Sequence, residues 1–352
     1  MKSEPNRGVS LDLSKGPGTK QSQEDWRASL GIDTTKQIRV VELNHVRYQH
    51  SDIKNIVAFL EGKIAIHPVR TPPADRFMYF GFEIARTTED HIYFNGYGSH
   101  LYDYVVVKGD EPKFLGGTFT VESYADLERA SKMPNASIIQ QLDHAPGGGQ
   151  LVTIYDPGNF PINLIFGQNL SDGNKHEGFP TLLFNTEKEK ARLGAFQRFT
   201  RGPAAVGHFG CTYLDFPKAL HFYIRTFNLV PSDMVCVGPS EKPSDIAAFL
   251  HIERALIIHE FITAHLKFMI LTLNCWVIST WLQNKGYKIV WGVGRHMLGS
   301  QIFDYWRDTS GFMIEHYADG DVVNKQTPVS RIPADYEMMQ TWGPDRPSEW
   351  LG

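Results

Sequence analysis

Leu43-Asn44-His45-Val46-Arg47-Tyr48 is the stretch from which the fold can be predicted, because the chain repeats its pattern later as Val206-Gly207-His208-Phe209. Each stretch is an apolar run around a histidine, which is typical of a buried strand. A pattern that recurs within one chain indicates two copies of one structural unit. The chain is therefore expected to contain two related halves.

Each predicted strand is followed by a predicted helix at the same distance from its histidine. Asp52 in the first copy and Asp215 in the second occupy matching positions, and aspartate is a favoured helix N-cap. Amphipathic sequence follows in both copies, at residues 53–60 and 216–227. The two copies thus share a strand-then-helix order.

The ends of the two copies also match. Asp156-Pro157-Gly158-Asn159-Phe160 and Asp308-Thr309-Ser310-Gly311-Phe312 are turn sequences between β-prone runs, which predicts a hairpin in each copy. In this register Asn163 corresponds to Glu315. Both copies carry the early histidine, but only the second carries a carboxylate on its last strand.

The repeat divides the chain into two domains of an α+β protein. Each copy is expected to run strand, helix and several strands, with a further helix in the first copy at residues 123–132. The predicted order is a disordered tail at 1–36, a first module at 37–170, a linker at 171–202, a second module at 203–325, and a C-terminal tail at 326–352.

Composition excludes several function classes. The chain has 352 residues, 42% of them hydrophobic, and a net charge of −4, so neither disorder nor a polyanion-binding surface is indicated. Three widely spaced cysteines (Cys211, Cys236 and Cys275) form neither a disulfide framework nor a zinc motif and suit a reducing, cytoplasmic location. The uncharged run 268–282 is shorter than the roughly 20 residues of a membrane-spanning helix.

Several blocks resemble one family over about residues 38–323, namely 43–50, Leu115-Gly116-Gly117-Thr118-Phe119, 147–149, 291–306 and 311–321. They are similar to fungal type I extradiol ring-cleavage dioxygenases of the glyoxalase/bleomycin resistance (vicinal-oxygen-chelate) superfamily. The resemblance implies tandem paired βαβββ modules, a non-catalytic first module and an Fe(II) site in the second. It also implies a catechol-type substrate from aromatic catabolism, O2 as the second substrate, and a possible homo-oligomer.

The resemblance assigns roles to four residues of the second module. His208 matches the first iron ligand and Glu315 matches the carboxylate ligand of a two-His, one-carboxylate site. Tyr305 and His296 match catalytic positions that hydrogen-bond the substrate oxygens. His316, next to Glu315 on a strand, is expected on the opposite face and is not predicted to be a ligand.

Residues 255–280 depart from the family. In relatives the region reads approximately V-H-H-S-S-F-E-V-H-D-F-D-T-Q-L-L-G-H and supplies the second histidine ligand. Reading the possible codons of residues 260–278 one nucleotide upstream recovers this block. The sequence therefore predicts an out-of-frame translation at 255–280, which removes the second histidine ligand from the chain. Residues 61–79, which relatives lack, are predicted to be an added loop or an unspliced intron.

Two other functions fit the same scaffold. One is a non-catalytic small-molecule-binding protein, which the missing ligand favours. The other is a glyoxalase-like metal-dependent lyase or isomerase, which Tyr305 and His296 disfavour because proton-transfer members do not need that pair. The sequence leaves open which catechol would be the substrate.

Overall fold

The computed structural model describes residues 20–61, 82–96, 98, 100–170, 206–239, 243–253, 257–258, 266–269, 282–283, 286–318, 320–334 and 340–347. Most of the predicted out-of-frame segment and nearly all of residues 61–79 lie outside these ranges, as do residues 1–19 and the whole predicted linker. Among the described residues, no helix is long and apolar enough to cross a bilayer.

Helices are few and strands are many. The helices are α1 (Gln23–Ser29), α2 (Ile53–Glu61), α3 (Tyr124–Ser131) and α4 (Phe216–Thr226), with a short 3-10 helix at Thr34–Lys36. The strands up to the linker are β1 (Lys20–Gln21), β2 (Val40–His50), β3 (Glu83–Thr87), β4 (His91–Asn95), β5 (Tyr104–Lys108), β6 (Lys113–Val121), β7 (Gln140–Gln141), β8 (Gln150–Tyr155) and β9 (Pro161–Phe166). The later strands are β10 (Val206–His208), β11 (Leu229–Val237), β12 (Ser244–Ile252), β13 (Ile257–Ile258), β14 (Leu266–Met269), β15 (Ile289–Arg295), β16 (Ile302–Arg307), β17 (Met313–Ala318), β18 (Val322–Val323) and β19 (Val329–Pro333).

The first module is one eight-stranded sheet made of two βαβββ units. Its order is β3-β4-β5-β2-β6-β9-β8-β7. The units β2-α2-β3-β4-β5 and β6-α3-β7-β8-β9 each place their last strand parallel to their first, and they meet where β2 pairs antiparallel with β6. The predicted α+β class with paired βαβββ units is confirmed.

The second module repeats part of this sheet, with the same strand directions. Its five-stranded sheet has the order β10-β14-β17-β16-β15, with β10 antiparallel to β14 and β14 parallel to β17. These pairings match those of β2, β6 and β9 in the first module. Strands β11 and β12 instead form a separate sheet with β19 and β1. Among the described residues, no strand links β12 to β10 as β5 links β4 to β2.

The predicted helices are confirmed together with their caps. Asp52 accepts a hydrogen bond from the Asn55 backbone N–H (3.0 Å), and Asp215 accepts one from the Lys218 N–H (3.0 Å). Ser123 caps α3 through the Asp126 N–H at 3.2 Å. The matching caps position α2 and α4 in the same way at the end of each first strand.

Both predicted hairpins are confirmed, and each contacts the other module. The Asp156 carboxylate accepts the N–H groups of Gly158 (2.8 Å) and Phe160 (2.9 Å), and its other oxygen accepts the hydroxyls of Tyr213 and Tyr223 in the second module. Its hairpin is therefore tied to the second module through a buried carboxylate.

The Asp308 hairpin makes the reverse connection. Asp308 accepts the N–H groups of Ser310 (2.8 Å) and Phe312 (2.9 Å), and the Ser310 hydroxyl lies 2.7 Å from His50 Nδ1 of the first module. Close packing completes this interface: a side chain at Gly117 would lie 2.6 Å from the ring of Phe209, so only glycine admits that contact. Each module therefore contacts the other through its own hairpin turn.

Parts of both predicted tails are ordered, which corrects the expectation of disorder from residue 1 to 36. Trp26 on α1 is only 5% exposed and packs into the core, so this segment gains from being ordered. Gln23 donates to the carbonyls of Asn324 (2.9 Å) and Thr327 (2.8 Å). Residues in the predicted C-terminal tail form β19, which pairs with both β11 and β1. The polar composition of the tails concealed these few anchoring residues.

Candidate metal centre

Adjacent strands of the second module bring His208 and Glu315 together. His208 ends β10, Glu315 lies in the middle of β17, and β14 runs between these strands. His208 Nε2 and Glu315 Oε2 are 3.7 Å apart and both side chains are fully buried. One cation can bridge this separation with metal–ligand bonds of about 2 Å. The two predicted ligands are thus in position for one metal ion.

The strand between them marks where a third ligand is expected. In the backbone register, Lys267 of β14 pairs with His208 on one side and with Glu315 on the other. The residue at this position is on a strand that belongs to the predicted out-of-frame segment. In the sheet, the segment that differs from the family therefore lies between the strands that carry His208 and Glu315.

Tyr305 and His296 join the same cluster. Tyr305 on β16 lies directly opposite Glu315 on β17, and its hydroxyl is 2.9 Å from His296 Nε2. The same His296 nitrogen lies 3.4 Å from Glu315 Oε1. Burial raises the pKa of Tyr305 well above its usual value, so its phenol is a neutral hydrogen-bond donor. All four predicted site residues therefore meet in one buried cluster.

Aromatic rings fix the orientation of this pair. Phe303 stacks on the His296 imidazole at 3.9 Å with an interplanar angle of 18°, and Trp291 stacks on Tyr305 at 5.8 Å and 14°. The sequence-based prediction did not include Phe303 and Trp291. The signal was available, because Phe303 and Tyr305 are two residues apart on a strand and so share a face.

His316 lies on the other face, as predicted. Its Nδ1 is 3.2 Å from Asp304 Oδ1, and the other Asp304 oxygen accepts the Trp306 indole N–H at 2.7 Å. Asp304 and His316 are opposite each other on β16 and β17, next to the Tyr305 and Glu315 pair. This buried contact lies on the face of the sheet opposite the site and joins the two strands that carry Tyr305 and Glu315.

The described residues fit a two-His, one-carboxylate iron site only in part. They supply one histidine and one carboxylate at suitable positions, and no group of three or more His, Cys, Asp or Glu in the described ranges forms a metal site. A facial triad needs three protein ligands. The donor set of the chain as written is therefore incomplete among these residues.

The equivalent positions of the first module carry different side chains. His45, Thr118 and Asn163 occupy matching register positions, and Asn163 accepts from Thr153 Oγ1 (2.7 Å) and donates to the Leu115 carbonyl (2.8 Å). His45 Nδ1 lies 2.7 Å from Asn44 Oδ1 and is fully buried. These contacts agree with the non-catalytic first module that the resemblance implies.

Comparisons with known proteins support the fold. No family model matches the chain. Among curated proteins, a 68-residue stretch is 41% identical to metapyrocatechase 2 from Cupriavidus necator, covering 19% of this chain and about a fifth (21%) of that protein.

Solved structures match over most of the chain. The Mn(II)-bound glyoxalase from Novosphingobium aromaticivorans has a TM-score of 0.68 at 18% identity, covering 90% of this chain and 95% of that one. Homoprotocatechuate 2,3-dioxygenase from Arthrobacter globiformis has a TM-score of 0.69 at 15% identity, with coverage of 90% and 91%. An extradiol ring-cleaving dioxygenase from B. fuscum gives 0.68 at 15%, with coverage of 90% and 83%. The chain shares their fold at low sequence identity.

Proposed function

We propose that this protein is an extradiol dioxygenase, which opens a catechol ring beside its hydroxyl groups and inserts both atoms of O2. The supporting observation is the buried cluster of His208, Glu315, Tyr305 and His296, which occurs in the second module alone of the two equivalent frames. In this proposal His208 and Glu315 are ligands of Fe(II). The 68-residue similarity to metapyrocatechase 2 supports the same chemistry.

Tyr305 and His296 have separate tasks in the proposed reaction. Because the neutral phenol of Tyr305 is held by His296, it can donate a hydrogen bond to an oxygen of the bound substrate. His296 also approaches Glu315, so it joins the carboxylate to the phenol and can accept or return a proton at Nε2. Phe303 and Trp291 exclude water from the pair and hold both rings.

The chain as written is expected to bind iron weakly, because only two of three ligands are present among the described residues. We propose that the active form carries residues 255–280 in the alternative reading frame. Sequencing the transcript tests this directly. A cDNA that encodes residues 255–280 as written would overturn the reading-frame proposal.

The decisive experiment compares two matched proteins, the chain as written and a chain with the alternative-frame sequence at 255–280. After anaerobic loading, we expect one iron per molecule in the second protein and little in the first. With 2,3-dihydroxybiphenyl, only the second should consume O2 and form a coloured ring-cleavage product. If the repaired, folded chain binds no iron, the proposed function is wrong.

Two variants of the repaired chain separate ligation from positioning. Glu315→Gln should lose iron and activity together, because it removes a negatively charged ligand. Tyr305→Phe should keep one iron and lose about 100-fold or more in kcat, as expected for a hydrogen bond made at the reacting atoms. Loss of iron from the Tyr305 variant would contradict the assigned role.

A glyoxalase-like isomerase is the second candidate, because a Mn(II)-bound glyoxalase has the same fold with a TM-score of 0.68. Isomerisation of the hemithioacetal of methylglyoxal and glutathione measures it. Activity there, with no O2 consumed from catechols, would replace the first proposal by this one.

A further inference from the structure

A row of side chains on the first module combines two arginines with a tyrosine. In the sheet register Arg47 of β2 pairs with Val105 of β5, Val105 pairs with Tyr93 of β4, and Tyr93 pairs with Arg86 of β3. Side chains in one such row point to the same side of a sheet. His45, two residues before Arg47 on β2, lies on this face as well. The row therefore borders the first module's equivalent of the candidate metal centre.

Arg47 differs from the other arginines of the described residues. Four of the others bond carboxylates and four donate to backbone carbonyls, and the ninth, Arg346, also interacts with another group; the first eight are Arg27, Arg39, Arg129 and Arg331, then Arg86, Arg225, Arg295 and Arg307. The Arg47 guanidinium has no hydrogen bond or ion pair with any described residue. After burial, the phenols of Tyr102 and Tyr93 are the groups that influence the pKa of Arg47.

The Arg47 side chain is partly buried. Burial lowers the pKa of Arg47 and is the largest influence on it. A cation that is partly desolvated and has no anion beside it carries a cost that no partner offsets. Arg47 can therefore bind an anion that arrives from solution.

Aromatic rings lie on the same face of the sheet as Arg47. Tyr93 and Tyr102 meet edge to face at 4.9 Å, Tyr102 packs on His45 at 4.6 Å, and His91 stacks on Tyr93 at 5.9 Å. The apolar cluster containing Tyr93, Tyr102, Val105 and Leu151 lies beneath them. A ligand at Arg47 would therefore meet flat apolar surfaces.

The charges near the row favour a single negative charge. Burial, followed by the charge of Arg47, lowers the pKa of His91 to about 4, so His91 is neutral at pH 7. His144 faces His91 at 5.0 Å, and Asp90 is the acidic group that acts on His91. Arg86 is engaged by the Ala145 carbonyl at 3.1 Å. Arg47 is thus the cation with free capacity for an anion.

We propose that this face of the first module is a binding site for a small aromatic carboxylate, with the carboxylate on Arg47 and the ring against Tyr93, Tyr102 and His91. The planar guanidinium can bond both oxygens of a carboxylate at once, and the aromatic rings favour an aromatic body over an aliphatic one. The site is separate from the candidate metal centre and does not depend on iron.

Benzoate is the probe, and para-fluorobenzoate followed by fluorine NMR gives its affinity for the full chain. We expect saturable binding that raises the melting temperature. Arg47→Met should weaken binding by about ten-fold or more, the loss expected for one charge-assisted pair. Without benzoate this variant should melt at the same or a higher temperature, because it removes a partly buried cation that has no hydrogen-bond partner among the described residues.

Two control variants and one replacement variant accompany this test. Arg39→Met removes an exposed arginine paired with Glu122 and should bind benzoate normally. Glu315→Gln should also bind normally, since it alters only the second module. Arg47→Lys, which keeps the charge but not the planar fork, replaces Arg47→Met if the latter does not fold, and should bind more weakly.

Three results would overturn the proposal. The first is no saturable binding of benzoate to the original chain. The second is binding that survives Arg47→Met, or Arg47→Lys in its place, and disappears with Glu315→Gln, which would place the ligand in the second module. The third is displacement by equal concentrations of chloride, which would show that charge alone is recognised. None of these results depends on whether the protein cleaves catechols.

Discussion

The two modules share one frame and differ in what they place on it. The first module carries His45, Thr118 and Asn163 at three register positions across neighbouring strands. The second carries His208, Lys267 and Glu315 at the same positions. Topology therefore brings three strand positions next to one another, and the residues at those positions decide whether the place is structural or chemical.

The contacts show what each choice achieves. Asn163 is neutral and bonded to Thr153 and Leu115, so its polar groups are satisfied within the sheet. Glu315 occupies the same position as a buried acid, 3.7 Å from His208 and 3.4 Å from His296. A buried carboxylate among imidazoles is expensive for stability, which fits a position kept for binding a cation.

The largest expected effect comes from giving the first module the carboxylate that the second module has at the equivalent position. Asn163→Glu places a charge in a buried site whose neighbours bond an amide, and we expect a loss of about 4 kcal/mol in the free energy of unfolding. Urea unfolding measures it. Gln141→Glu, the same type of change at an exposed residue of this module, should be close to neutral. A small effect at Asn163 would mean that the first module still tolerates a ligand.

The two hairpins offer the next comparison. Asp156→Ala loses four hydrogen bonds, two of them to buried tyrosines of the other module, and should cost about 3 kcal/mol. Asp308→Ala loses two backbone bonds and also removes a buried charge, so about 1 kcal/mol is expected. If both variants lost the same free energy of unfolding in urea, the two aspartates would contribute equally to stability, which would contradict this comparison.

Asp308 should also give the module interface a pH dependence. Burial raises its pKa to about 6 from 3.8, so the folded protein holds this proton more tightly than the unfolded chain does. Stability from this group is therefore full below about pH 4 and is lost as pH rises through about 6, by up to about 3 kcal/mol. Asp308→Asn should remove that loss.

The measurement is the free energy of unfolding of both proteins between pH 4 and pH 8. The advantage of Asp308→Asn should grow across this range. Thr309→Ser, in the same turn and without a titratable change, should run parallel to the original chain. If the asparagine variant also runs parallel, another group carries the pH dependence.

The smallest expected effect tests where the modules are alike. Asp52 and Asp215 cap α2 and α4 with bonds of the same length, 3.0 Å. Asp52→Ala and Asp215→Ala should each cost about 1 kcal/mol and agree within about 0.5 kcal/mol. A clear difference in urea unfolding would show that the first units of the modules are less equivalent than their sequences.

Much of this comparison could be predicted from the sequence, because the signals are local. Asp52, Asp215 and Ser123 cap helices through residues three positions away, and Asp156 and Asp308 bond the N–H groups of their own turns. The correspondence of Asn163 with Glu315 followed from aligning those turns. Local spacing is preserved when a unit is repeated, so it can be read without knowing the fold.

Other features depend on contacts between distant parts of the chain. The anchoring of α1 rests on Trp26 in the core and on Gln23 bonding residues near 325, a separation that no local pattern reports. The second sheet of the second module likewise includes β1 and β19, which come from segments predicted to be tails. Because these segments are mostly polar, their few apolar residues did not indicate packed structure.

By itself, the sequence determined that two related α+β units exist, that only the second carries a carboxylate on its last strand, and which four residues form its candidate site. The tertiary structure decided how those residues meet: the Tyr305 hydroxyl on His296, and His296 on Glu315. It also decided that Arg47 lies in one cross-strand row with Tyr93. Repeats and caps follow from short-range chemistry, whereas burial and partnership depend on which distant strands become neighbours.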